Sequence, residues 1–145
     1  MFFRAGGFVG SAISCAVNEG ETKISSLPPG RFFILVADPG KHTYSSTSSS
    51  SNGVYLTLKE GETHYVRCTV IAGFWAGKGS LDVSKEEEFT SKLWKSVDPA
   101  RITGNVLTDE QIKAANAAQA EAARATPPAA SAAPQAEAAP ATPQQ

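Results

Sequence analysis

The sequence predicts a mainly β protein: an antiparallel β-sandwich with one short helix behind it, then an alanine-rich helix and a disordered tail. Three observations carry that prediction. Apolar and polar residues alternate through short runs such as Val54 to Leu58 and Tyr65 to Ile71, the period of a half-buried strand. The turn signals Asp38-Pro39-Gly40-Lys41 and Lys59-Glu60-Gly61-Glu62 divide Gly30 to Ile71 into three such runs, which reads as an antiparallel β-meander. Near Asn105 the composition changes, and half of the residues from Ala114 to Gln145 are alanine, too little apolar bulk to build a core.

The elements follow in order. Ala12 to Asn18 puts Ile13, Cys15 and Val17 on one face, and Asn18-Glu19-Gly20-Glu21 then turns the chain. Lys23-Ile24-Ser25 reads as a short partner. Leu27-Pro28-Pro29-Gly30 launches Arg31 to Ala37, six of whose seven residues are apolar, the signature of a central strand buried on both faces. Lys41 to Thr47 has the Thr, Tyr and Ser content of a more exposed strand, and Ser48 to Gly53 reads as a loop. Val54, Leu56 and Leu58 point inward on the next strand, as do Val66, Cys68 and Val70 on the one after it. Tyr65, Arg67 and Thr69 share the opposite face. A glycine-rich bend from Gly73 to Gly79 leads to a last short strand at Leu81 to Val83, making seven in all.

Helices close the pattern. Ser84-Lys85-Glu86-Glu87 reads as a capping box, followed by Phe89, Leu93 and Val97 at helical spacing, with Asp98-Pro99 as the stop. Trp94 lies off that stripe and is expected to cover the edge of the sheet. Thr108-Asp109-Glu110-Gln111 is a second capping box, with Leu107 and Ile112 at the staple positions. Thr126-Pro127-Pro128 ends that helix. The expected organisation is a sandwich domain over 1–97, a linker over 98–108, an alanine-rich helix over 109–125 and an Ala/Pro/Gln-rich tail over 126–145.

Composition narrows the function classes. A formal charge of −1 over 145 residues supplies no field for nucleic acid or an anionic membrane. No apolar run reaches the roughly eighteen residues of a membrane span, and Met1-Phe2-Phe3-Arg4 leads into glycines rather than the apolar core of an export signal. His64 and Cys68, four apart on one strand, stand about 13 Å from each other, too far to share a zinc ion. No serine lies in a Gly-x-Ser-x-Gly elbow, neither histidine has an acidic partner legible in sequence, and His42 is expected to face solvent after its turn. No cofactor or metal is implied. Cys15 and Cys68 both sit among inward-pointing residues, so they either bridge the two layers or remain buried free thiols.

The order Phe3-Arg4, Phe8-Val9-Gly10-Ser11-Ala12, Leu27 to Phe33, Pro39-Gly40-Lys41-His42-Thr43, Gly61-Glu62-Thr63-His64-Tyr65-Val66-Arg67 and Gly73 to Gly77 before Leu81 resembles a bacterial family known as domain of unknown function 2846. The resemblance runs from Phe2 to Val97 and is most specific at the Pro-Gly-Lys-His-Thr turn and the Gly-x-Thr-x-Tyr-Val-Arg strand. It implies a small prealbumin-like or carboxypeptidase-regulatory-like sandwich. It also implies a periplasmic or envelope-associated location, often as a lipoprotein, and no known activity. The expected leader is missing from the start of this chain, which leaves a truncated start or a cytoplasmic copy as the alternatives. The reading is thus a non-catalytic binding or structural module that contacts a protein or envelope component. Its contact surface is the outer face bearing Tyr65 and Arg67 together with the Phe74-Trp75 bend. The alternative is a small hydrolase or ligand-binding enzyme subunit using His64 or His42.

Overall fold

The computed structural model describes residues 1–7, 12–46, 53–71 and 78–125. The expected serine loop, the bend carrying Phe74 and Trp75, and the tail from 126 onward lie outside the described residues. The chain divides into two units, residues 1–112 and residues 113–145. The first holds all the strands: β1 (Phe2–Arg4), β2 (Cys15–Glu19), β3 (Thr22–Leu27), β4 (Arg31–Phe33), β5 (Gly40–Ser45), β6 (Val54–Leu58), β7 (Tyr65–Ile71), β8 (Lys78–Ser84) and β9 (Lys95–Ser96). It also holds α1 (Glu86–Thr90), a 3-10 turn (Pro99–Arg101) and the start of α2 (Asp109–Ala125). The second unit, so far as it is described, is the alanine-rich remainder of α2.

Two sheets share one core. The five-stranded sheet has the order β8-β7-β1-β4-β9 and the four-stranded sheet the order β3-β2-β5-β6. Alternation places the core residues: Val66, Cys68, Phe2, Phe33 and Leu81 come from the first sheet, and Cys15, Val17, Leu27, Tyr44, Val54 and Leu56 from the second. Phe2 joins the layers, stacked on Phe33 at 5.0 Å and meeting Tyr44 edge-on at 5.0 Å. Gly20, at φ 57°, takes the left-handed conformation that the tight β2–β3 turn needs and that side chains with a Cβ avoid. Arg4 is buried, its guanidinium donating to the backbone carbonyls of Ile13 and Leu27. Burial lowers its pKa.

Several expectations are corrected. The segment from Gly30 to Ile71 is not one meander: β5 and β6 pair with each other, whereas β4 and β7 lie in the opposite sheet. The five-stranded sheet is mixed rather than antiparallel, because β1 runs parallel to β7 and β4 parallel to β9. The described residues contain nine strands rather than seven. Arg31 to Ala37 is not a strand buried on both faces; β4 stops at Phe33, Ile34 and Leu35 are half-buried and Val36 is exposed. Its apolar run instead serves an isolated bridge, Leu35 to Val106, and the rim of the core.

The short helix is also shorter than its spacing implied. α1 ends at Thr90, Leu93 is fully exposed, and Val97 is buried next to β9. Lys85, not Ser84, is its N-cap, with no side-chain cap; the Ser84 hydroxyl donates to the Glu88 carboxylate instead. A chance period of four in a helix-plus-strand segment produced the misleading stripe. Thr108 does form its box: its Oγ1 accepts from the Gln111 backbone N–H at 3.3 Å and Gln111 Oε1 accepts from the Thr108 N–H at 2.9 Å. Residues 98–108 run along the sheets, with the Thr103 N–H donating to Ile24 O, the Val36 N–H to Asn105 O, and Ile102 and Val106 packed on the core.

Candidate functional site

β7 carries the predicted contact residues and alternates cleanly: Val66 and Cys68 point into the core while Tyr65, Arg67, Thr69 and Ile71 face out. It pairs with β8 from Tyr65↔Ser84 to Ile71↔Lys78, which aligns Arg67 with Asp82 and Thr69 with Ser80. This face is not uniformly open. α1 lies over its Tyr65 end, where Phe89 packs against Phe3, Phe32, Tyr65 and Trp94 with ring centroids 5.3–6.0 Å apart. Trp94 covers Phe3 at 5.2 Å; it was expected at the edge of the sheet, but Phe3 belongs to β1, the central strand of the five.

Helix α1 also holds Arg67, whose Nη1 donates to Glu88 Oε1 at 2.7 Å. Tyr65 is half-buried, and burial first, then the charge of Glu86, pushes its phenol above the ordinary range. Tyr65 and Arg67 are thus partly spoken for by α1, whereas Thr69 and Ile71 remain exposed, Ile71 at 64%. The open part of the surface lies further along β7 than Tyr65 and Arg67; Phe74 and Trp75 are outside the described residues.

Cys15 of β2 and Cys68 of β7 are joined by a disulfide with a Cα–Cα distance of 6.5 Å. The bridge ties one sheet to the other at a point where both residues are buried. Gly79 of β8 passes beside it so closely that a Cβ there would lie 3.0 Å from Cys15 Sγ.

His42 does not face solvent freely. Its Nδ1 lies 2.6 Å from Glu19 Oε1 and its Nε2 2.8 Å from the Asp38 carbonyl, while its ring stacks on Tyr44 at 6.0 Å. Both neighbours are acceptors, so only the doubly protonated imidazolium satisfies both. The Glu19 hydrogen bond, then the Asp38 carbonyl, raise the His42 pKa against the opposing effect of burial. Burial, with Glu19 beside it, pushes the Tyr44 phenol up to about 12. The acidic partner of His42 was invisible in sequence because Glu19 is brought near only by the β2–β5 pairing, Glu19↔Tyr44.

A pH dependence follows from this geometry. The folded pKa of His42 lies above the ordinary imidazole value of about 6.5, so the pair's contribution is complete below about pH 6.5 and is lost as pH rises through the folded value. For a partly exposed pair it amounts to under about 1 kcal/mol. Thermal melts of the wild type are expected to show a falling midpoint from pH 6 toward pH 9. His42→Gln should melt lower at pH 6 and lack that part of the slope; an identical slope in the variant would refute the assignment.

His64 lies at the β6–β7 turn, its Nε2 3.3 Å from Glu62 Oε2 without hydrogen-bond geometry. Beside it a cleft of about 350 Å³ opens between the two sheets, walled by residues such as Phe2, Leu35, Tyr44, Leu56, Leu58 and Val66. Among the described residues no group of three or more His, Cys, Asp or Glu side chains is placed to hold a metal ion. No helix of the described residues is long and apolar enough to cross a membrane.

These features define a class: a mainly β domain whose two sheets share one core and one cross-sheet disulfide. No family model, curated protein or solved structure matches the chain.

Proposed function

We propose that this chain is a non-catalytic binding or structural module of a bacterial cell envelope, a β-sandwich of the prealbumin-like kind that its resemblance to domain of unknown function 2846 implies. It acts through protein contacts. The observation that carries the reading is the open outer face of β7 and β8, where exposed Ile71 and Thr69 stand in register with Lys78 and Ser80. The seven-pair ladder and the disulfide at Cys68 make that face rigid, so a partner binds it without the entropy loss of ordering a loop. A cross-sheet disulfide supports an oxidising compartment, in keeping with the envelope. His42 commits both ring nitrogens to Glu19 and Asp38, which favours this reading over a small hydrolase built on that residue.

The test is crosslinked capture from envelope and cytosolic fractions with the wild type, Ile71→Asp, Trp75→Ala, the control Tyr55→Ser on the opposite sheet, and a chain ending after Ile112. A partner held by the wild type and by Tyr55→Ser is expected to be lost from Ile71→Asp. The same partners retained by both Ile71→Asp and Trp75→Ala would reject this contact surface. Loss only on shortening the chain would move the binding role to the residues after Ile112.

A further inference from the structure

We propose that the groove between the edge strand β3 and residues 99–103 binds a sugar phosphate, an activity separate from the outer-face contacts above. The groove holds about 450 Å³, within the range of small-molecule sites. Lys23 enters its wall from β3 and Arg101 from the 3-10 turn, and no aspartate or glutamate lines it. Both cations are exposed, and neither forms an ion pair among the described residues. Asp98, the acid nearest Arg101 in sequence, accepts from the Ala100 N–H instead, and Glu21, the nearest to Lys23, lies in the β2–β3 turn outside the wall. The groove is thus a local excess of positive charge on a chain whose formal charge is −1.

Local structure holds the second cation in place. β3 is an outer strand of its sheet, and the segment beside it is anchored twice: the Thr103 N–H donates to Ile24 O at 2.7 Å, and the buried Ser25 hydroxyl donates to Arg101 O at 3.2 Å. Between these anchors Ile102 is extended and packs on the core, which leaves Arg101 and Thr103 exposed at the groove. The lining selects the ligand. A phosphate monoester carries close to two negative charges at neutral pH and three terminal oxygens, so one oxygen can meet the flat Arg101 fork while another meets the Lys23 ammonium. A carboxylate brings one charge for two cations. Ser14, Ser26 and Thr103 add three hydroxyls to the wall, each able to donate and to accept, which is what the hydroxyls of a sugar require.

The experiment is calorimetric titration of the full chain with glucose 6-phosphate, inorganic phosphate, glucuronate and glucose. One-to-one binding of glucose 6-phosphate is expected, tighter than that of inorganic phosphate or glucuronate, with no binding of glucose. Lys23→Gln and Arg101→Gln should each weaken it about tenfold or more, the loss of one charge-assisted hydrogen bond. Lys41→Gln, on β5 of the same sheet and outside the groove, should bind as the wild type does. All three positions are exposed, so circular dichroism should stay unchanged. The idea fails if glucose 6-phosphate shows no saturable binding, if both groove variants bind it as the wild type does, or if Lys41→Gln weakens it equally. Equal binding of glucuronate would overturn the phosphate assignment, and equal binding of inorganic phosphate or of glucose would overturn the sugar phosphate as the ligand. Outer-face capture by Ile71 stands or falls independently of all these outcomes.

Discussion

Replacing Cys15 and Cys68 together by alanine is expected to lower the unfolding free energy by roughly 4 kcal/mol. The bridge closes a loop with a sequence separation of 53 residues, and in the chain-entropy description a loop that long removes much of the unfolded chain's freedom. Against the 5–15 kcal/mol typical of a whole domain this is a large fraction. The position adds to it, because both cysteines are buried and each belongs to a different sheet. The thermal midpoint should fall by roughly 15–25 °C for a domain of this size. Urea melts of the wild type with and without a thiol reductant, alongside the double variant, measure it. The reduced wild type should melt close to the variant. Superimposable oxidised and reduced curves would show that the bridge adds nothing to stability.

Phe2→Ala is expected to cost about 3–5 kcal/mol, the range for emptying a buried aromatic site. Phe2 is 3% exposed and bridges the layers, with Phe33 in its own sheet and Tyr44 in the other. Its ring also lines the cleft, so the lost volume joins existing open space, and the lower half of that range is the sharper expectation. Phe2→Leu should cost less than half as much, since it keeps most of the apolar bulk. Tyr55→Ala, at a side chain 73% exposed on the far face of β6, should change stability by no more than about 0.5 kcal/mol. Equilibrium denaturation of the three variants tests the order. A Phe2→Ala chain as stable as Tyr55→Ala would mean that β1 is not part of the core.

β1 is also the clearest case of what a single sequence conceals. Two phenylalanines before an arginine and a glycine pair are too short a run to read as a strand, and nothing nearby pairs with them. β1 becomes a strand because β4 and β7 flank it, β7 in the parallel register Phe2↔Val66. β9 has only two residues and depends in the same way on β4. Leu93 and Val97 misled for a related reason: a period of four across the end of a helix and the start of a strand cannot be told from one helix by spacing. Lys41 to Thr47 read as a more exposed strand, yet β5 is an inner strand with Tyr44 and Ser45 buried; alternation held in β6 and β7. Val54 and Leu56 are buried with Tyr55 exposed between them, and Val66 and Cys68 are buried.

The site divides along the same line. The outward position of Arg67 was legible from alternation, but its ion pair with Glu88 and the cover that Phe89 lays over Tyr65 were not. The pairing of Cys15 with Cys68 and the seating of His42 against Glu19 required β2 to lie beside β5 and opposite β7.

By itself, then, the sequence determined the β class, the faces of the longer strands and the capping box of α2, because these depend on residues within a few positions of one another. Tertiary structure alone decided which sheet each strand joins, the parallel pairs, the disulfide partner, the acid beside His42 and the cleft between the layers. Each of these is a contact between segments far apart in the chain, and local periodicity carries no information about which distant partner a strand will meet.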